Sequence, residues 1–213
     1  MAKPDPLPRQ PAVLEFIVRE GPLTLHLVRH GEHRLPADRL AGRTPGVDLS
    51  DRGIEQAQRT ASKLAGCGIT AIHSSPLDRT RQTAEIIAGH LGLPVVPSDS
   101  LAEIDFGEWT GHRFADLDDR EDWRRWNYFR SGTRAPGGET MLEAQARALR
   151  HIEGLAGGAV ALVSHCDVIR AVLTHFLGMP IDLLLRLEIA PASISTVEIG
   201  PWGPRILRIN EEP

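Results

Sequence analysis

The stretch Leu23-Thr24-Leu25-His26-Leu27-Val28-Arg29-His30-Gly31-Glu32 constrains this chain most: an apolar run that stops abruptly at a cation, an imidazole and a glycine. Leu, Val and Thr in such a run predict a buried strand. Gly31 has no Cβ and so permits a sharp exit or a close backbone approach. The pattern recurs. Residues 69–75 and 159–164 are β-like runs, each followed by a segment with helical spacing. Strands alternating with helices predict an α/β domain with a largely parallel sheet. In such sheets ligands bind beyond the strand ends, which puts Arg29 and His30 at the lip of a crevice.

The remaining segments follow from their breakers. Residues 32–50 are polar and turn-rich, a loop over the strand end that carries Arg34, Arg39 and Arg43. Ser50 or Asp51 caps a helix over 54–64. Pro76 starts a helix that runs to Leu91, and Val95-Val96 forms a short strand. Residues 101–139 mix acids with aromatics (Asp105, Phe106, Glu108, Trp109, Trp123, Trp126, Tyr128, Phe129) and read as a cap-like insertion folded over the strand ends. Residues 139–155 form an amphipathic helix, and 168–177 form the helix after the third strand. Residues 194–199 and 205–209 make a hairpin joined at Gly200-Pro201-Trp202-Gly203. Residues 1–22 are a Pro-rich, partly flexible extension in which 12–19 form either an edge strand or a helical turn. Residues 23–210 then form a single α/β domain.

Composition narrows the classes of function. A net charge of −4 over 213 residues argues against a general nucleic-acid binder. Two cysteines, Cys67 and Cys166, make neither a disulfide framework nor a zinc cluster and fit a cytoplasmic protein. The N-terminus lacks the apolar core of a signal peptide, and no run approaches the roughly 18 apolar residues of a membrane span.

His30 and His165 share one context, each following a β-like run and each preceding a turn, so both imidazoles face one crevice in a parallel sheet. Beside Arg29 they suit phosphate chemistry, with His30 as nucleophile or base. The segment 74–84 opens a helix, whose free N–H groups favour anions. An arginine there fits a phosphate site, and the pattern leaves Arg79 and Arg81 equally eligible. Glu103, Asp105 and Glu108 lie among Ile, Phe and Trp, where a carboxyl's pKa rises toward that of a general acid. The pattern does not choose among these three. Walker-type loops, dinucleotide-binding glycine motifs and nucleophile elbows are absent. Cys166 reads as a packing residue beside the site.

At this point the residues resemble the histidine phosphatase superfamily, the phosphoglycerate mutase-like family. Leu27-Val28-Arg29-His30-Gly31-Glu32 resembles its signature, Asp48 to Ala57 its D-x-L-(T/S)-x-x-G-x-x-Q-A segment, and Ser74 to Ala84 its S-S-P-L-x-R segment. Leu101 to Gly111 resembles its acid loop, Pro136-Gly137-Gly138-Glu139 its P-G-G-E turn, and Val163-Ser164-His165 with Ile169-Arg170 its second-histidine motif. The motifs occur in family order from about Leu23 to Asn210.

The resemblance implies a three-layer sandwich, with helices on both faces of a mostly parallel sheet. It implies His30 as the phosphoryl acceptor, Arg29, Arg79 and His165 as the phosphate pocket, and Glu103 as proton donor, with a protonated His165 neutralising phosphoryl oxygens. It implies no metal and no cofactor. The expected partner is a small phosphorylated metabolite; nucleic acid and membrane are not expected, and the C-terminal hairpin offers an edge for a homodimer that nothing requires. The expected reaction is hydrolysis of a phosphomonoester, with a phosphoglycerate-type mutase as the alternative.

Two departures stand out. The family's asparagine after RHG is missing from Glu32-His33-Arg34-Leu35-Pro36, which makes Arg43 or Thr44 candidates for its contacts. Cys166 replaces the usual glycine after the second histidine.

Overall fold

The structure, a computed structural model, describes residues 21–213. The expected N-terminal extension and the segment 12–19 therefore lie outside the described residues, apart from Gly21 and Pro22. Six strands, β1 (Leu23–Arg29), β2 (Ile69–Ser74), β3 (Val95–Pro97), β4 (Gly158–Ser164), β5 (Ile194–Gly200) and β6 (Gly203–Glu211), form one sheet in the order β3-β2-β4-β1-β5-β6. β3, β2, β4 and β1 run parallel, whereas β5 is antiparallel to β1 and to β6.

Six α-helices accompany the sheet: α1 (Asp51–Leu64), α2 (Asp78–Leu91), α3 (Phe114–Asp118), α4 (Glu121–Tyr128), α5 (Met141–Glu153) and α6 (Cys166–Leu177). Alternation along the central strands divides the core into two layers. Leu23, Leu25 and Leu27 of β1, with Val160 and Leu162 of β4, pack against α5, α6 and the 101–139 segment. Val28, Ala161 and Val163 face α1 and α2 through Ala61, Leu64, Ala84 and Ile87. This is the three-layer α/β sandwich that the resemblance implies.

Local chemistry explains the helix starts. Ser50 is the N-cap of α1, its Oγ accepting from Gly53 N at 3.0 Å. Thr140 and Glu143 close a capping box at α5. Several starts differ from expectation: α1 begins at Asp51 rather than 54 and α5 at Met141 rather than 139. Pro76 lies outside α2, whose N-cap is Leu77. α6 begins at Cys166, two residues before Val168, because β4 ends at Ser164 and His165 becomes the N-cap. The insertion shares the main core rather than sitting apart from it. Trp109, Trp123 and Trp126 are buried there and stack edge-on, with centroids 5.2 and 5.8 Å apart for Trp109 against Trp123 and Trp126. Tyr128 is exposed.

Candidate active site

The register of β1 against β4 pairs Arg29 with Ser164, so the next residues, His30 and His165, lie side by side beyond the strand ends. His30 N donates to Ser164 O at 3.0 Å, and the two rings meet edge-on at 5.2 Å between centroids. Both residues are buried. Parallel pairing thus sets the two imidazoles of matching context side by side at one end of the sheet.

His30 Nδ1 lies 2.7 Å from the Gly31 carbonyl, which can only accept, so Nδ1 carries the proton and Nε2 keeps its lone pair. Arg79 Nε donates to that Nε2 at 3.3 Å. Arg79 is 1% exposed, so its guanidinium is fixed among protein groups. One Nη2 donates to Gly42 O at 2.7 Å and lies 3.3 Å from His165 Nδ1. Its Nη1 is buried with no hydrogen-bond partner among the described residues. Arg29 reaches the same region from β1. Its Nη1 donates to Ile189 O at 2.5 Å, and its buried Nε has no partner among the described residues. Arg81, by contrast, pairs on the helix exterior with Asp78 and Glu85.

His165 Nε2 lies 2.8 Å from Ser75 Oγ. Because Arg79 can only donate to Nδ1, the neutral ring carries its proton on Nε2 and gives it to Ser75. Burial, then Arg79 and Arg29, hold the His30 pKa well below its ordinary value. Burial, then Arg79 and His30, do the same for His165. That field favours the neutral form of both rings. A phosphate dianion between the two arginines reverses the sign of that field.

Glu103 supplies the carboxyl. Its Oε1 accepts from Ile104 N at 3.0 Å, and Oε2 is 3.8 Å from His165 Nδ1. Burial, then the charge of Asp167, raise its pKa to about 7, against the pull of Arg79. Asp167 lies between Arg130 (3.1 Å) and Arg170 (3.0 Å), which keep it ionised despite its burial. Glu103 thus stands beside His165, whereas Asp105 faces Arg43 at 3.5 Å and caps Gly107 N at 3.0 Å.

The remaining motif residues form the frame. Gly31 N donates to Thr83 Oγ1 at 3.1 Å and Glu32 N to Gln56 Oε1 at 2.9 Å, which tie the RHGE turn to α2 and α1. A Cβ on Gly31 would stand 2.5 Å from Gly53 O, and one on Gly53 would stand 2.0 Å from Glu32 O, so two glycines are needed where these backbones cross. Glu139 of the P-G-G-E turn holds Arg43 (3.1 Å) and Arg147 (2.7 Å), and both arginines donate to the Glu103 carbonyl, at 2.7 and 3.2 Å. Arg43, with Thr44 a candidate for the missing asparagine's contacts, thus holds the Glu103 backbone, Glu139 and Asp105. Cys166 packs as expected: its Sγ contacts Ile189 O at 3.7 Å and burial pushes its pKa up to about 11.

Sequence reasoning did not single out Ser75, Asp167 or Arg130. Ser75 was visible only as part of a turn motif, and Asp167 only as a charge in a helix's first turn. Among the described residues, no group of three or more His, Cys, Asp or Glu side chains is placed to hold a metal ion, and no helix is long and apolar enough to cross a membrane.

A nucleophile-ready imidazole, a second imidazole and buried guanidiniums beyond the strand ends of this sandwich define a known class. A family model described as histidine phosphatase superfamily (branch 1) matches residues 25–212, and the chain belongs to that superfamily. Among curated proteins, it is 36% identical over 198 residues to the bifunctional protein Rv2228c of Mycobacterium tuberculosis, covering 90% of this chain and 54% of that one. The chain thus spans about half the length of that relative. It is 35% identical over 188 residues to the probable phosphoglycerate mutase GpmB of Yersinia pestis, covering 84% of this chain and 87% of that one. Among solved structures, the mycobacterial glucosyl-3-phosphoglycerate phosphatase Rv2419c superposes with a TM-score of 0.79 at 25% identity, over 90% of this chain and 100% of the other. The phosphoserine phosphatase of Entamoeba histolytica, solved with phosphoserine, gives a TM-score of 0.75 at 26% identity, over 88% and 96%.

Proposed function

We propose that this chain is a metal-independent phosphatase that hydrolyses a small phosphomonoester through a phosphohistidine at His30. The observation that carries the reading is Arg79. A buried guanidinium has one donor on the attacking nitrogen of His30 and another, Nη1, with no partner among the described residues. An unsatisfied buried cationic donor is costly, and a phosphoryl oxygen satisfies it.

In the proposed reaction Arg79 Nε gives up its hydrogen bond to His30 Nε2 for a phosphoryl oxygen, and the freed Nε2 lone pair attacks phosphorus as the ester P–O bond breaks. Glu103, protonated to a useful extent because its pKa stands at about 7, gives its proton to the leaving oxygen. The resulting carboxylate then takes a proton from water, the hydroxide attacks phosphorus, and the P–N bond returns its electron pair to His30. Arg79 and Arg29 stabilise the charge on the phosphoryl oxygens, the part that Mg²⁺ plays in other phosphoryl-transfer sites.

His30→Ala tests the centre of this reading. The wild type is expected to form an acid-labile, base-stable phosphoenzyme and the variant to form none; turnover and phosphoenzyme retained in the variant would sink the assignment. The likeness to GpmB favours a second reading, a phosphomutase. Phosphoglycerates offered with and without a bisphosphoglycerate separate the two: a hydrolase releases inorganic phosphate, a mutase interconverts isomers.

A further inference from the structure

His33 lies outside the machinery described so far, yet it stands beside it. Its ring centroid is 5.6 Å from that of His30, nearly as close as His165 is. The loop that carries it is fixed: Gly31 N and Glu32 N are tied to Thr83 and Gln56, and His33 itself bridges Leu49. The backbone of His33 is therefore held beside the nucleophile. Its Nδ1 is buried and completes no hydrogen bond among the described residues, although the carbonyls of Leu35 and of His33 itself lie near enough to favour a proton on the ring.

Resting on the phosphatase reading, we propose that His33 is a third imidazole of the phosphate cradle, contacting the phosphoryl group of the bound ester beside His30 and Arg79.

The groups that face His33 make this electrostatic sense. Arg29 and His30 reach it from the end of β1 and Arg79 from α2, and burial together with the two guanidiniums keeps the free ring neutral. A phosphate dianion placed on His30 Nε2 and Arg79 Nη1 inverts that field. The ring then gains a proton and becomes a donor to the anion. This is also the segment where the chain departs from its family's pattern, so the contact belongs to this chain's own residues.

Two measurements on His33→Ala and His33→Gln test the proposal. The first is calorimetric binding of inorganic phosphate at pH 7 in buffers of different ionisation enthalpy. Loss of one charge-assisted hydrogen bond should weaken phosphate about tenfold in His33→Ala, with fewer protons taken up on binding. The second is steady-state turnover of p-nitrophenyl phosphate, where kcat/KM should fall by a similar factor, carried by KM, with His33→Gln recovering part of it. Unchanged phosphate affinity and unchanged proton uptake in His33→Ala overturn the proposal. So does a fall confined to kcat, which marks a role in positioning His30 instead. If His33→Ala loses thermal stability, His33→Gln alone decides, on the same two readouts. Phosphate binding that depends on His33 in a wild type that turns over no ester would refute the phosphatase reading and leave the contact standing. Normal turnover by both variants would do the reverse.

Discussion

Arg79 Nε stands 3.3 Å from His30 Nε2, so the most buried cation of the site rests on the lone pair that would attack phosphorus. Two consequences follow. The nitrogen is kept unprotonated, because a proton there would meet the guanidinium head-on. The guanidinium is kept within donor reach of the place where phosphoryl oxygens would come to lie. Preorganisation of this kind removes the cost of bringing charge to charge during the reaction.

That geometry depends on the fork of arginine. A lysine at the same place has one ammonium, which cannot serve Gly42 O, His30 and a phosphoryl oxygen from fixed directions. Arg79→Lys is therefore expected to lower kcat/KM by about 10²–10³-fold and Arg79→Ala by more. A lysine variant within threefold of wild type would show that Arg79 acts through net charge alone. Excess EDTA should leave wild-type rates unchanged, whereas loss restored by Mg²⁺ would contradict the role given to the arginines.

Glu103 carries opposite consequences for activity and stability. Its pKa is raised to about 7 in the folded chain, so between its ordinary value and about 7 the folded state holds a proton that the unfolded state has released. Its contribution to stability therefore declines as pH rises through that window. Removing the charge should relieve this: Glu103→Gln is expected to gain about 1–3 kcal/mol over wild type at pH 8 and much less at pH 4.5. In activity assays the same variant should lose most on esters with poor leaving groups, and least on aryl phosphates. Denaturant titrations at the two pH values check the first claim and a leaving-group series the second.

The histidines act in the other direction. His26, His30, His33, His73, His151 and His165 all have pKa values pushed down, with burial the largest cause in each. Below the ordinary value of about 6.5 the unfolded chain binds protons that the folded chain refuses, so stability falls as pH drops through 6.5. Unfolding free energy should decline measurably between pH 7 and pH 5. Saturating inorganic phosphate should reduce the decline, because an anion lets His33 and His165 accept protons while folded. A flat profile without phosphate would refute this account.

The crossing of the RHGE turn over α1 admits no side chain. Gly53→Ala places a methyl 2.0 Å from Glu32 O, and both partners are backbone. The loss is expected to be about 2–4 kcal/mol, with kcat/KM reduced as the turn carrying His30 shifts. Gly66→Ala meets nothing within 4 Å and serves as the control.

Much of the site was legible because its chemistry sits at strand ends. The apolar run 23–29 and the run 159–164 announced β1 and β4, and the abrupt residues after each announced His30 and His165. The choice of Glu103 over Asp105 and Glu108, and of Arg79 over Arg81, was not legible from charge pattern alone. All are charged residues at similar spacing, and the family resemblance had to supply it. The tryptophans of the insertion read mostly as core rather than pocket, and packing agrees: Trp109 and Trp126 are fully buried against each other.

The sequence by itself determined the order of the strands and of the helices outside the insertion, the two histidines and the family, because periodicity and motif spacing are local properties of the chain; α3 and α4 were not read from it. Only the tertiary structure decided the electrostatics. Asp167 adds to burial in raising the pKa of Glu103, Arg79 sets the tautomer of His165, and Arg43 holds the Glu103 carbonyl. Each of these effects joins residues about 60 positions or more apart, and falls off with a distance that folding alone sets.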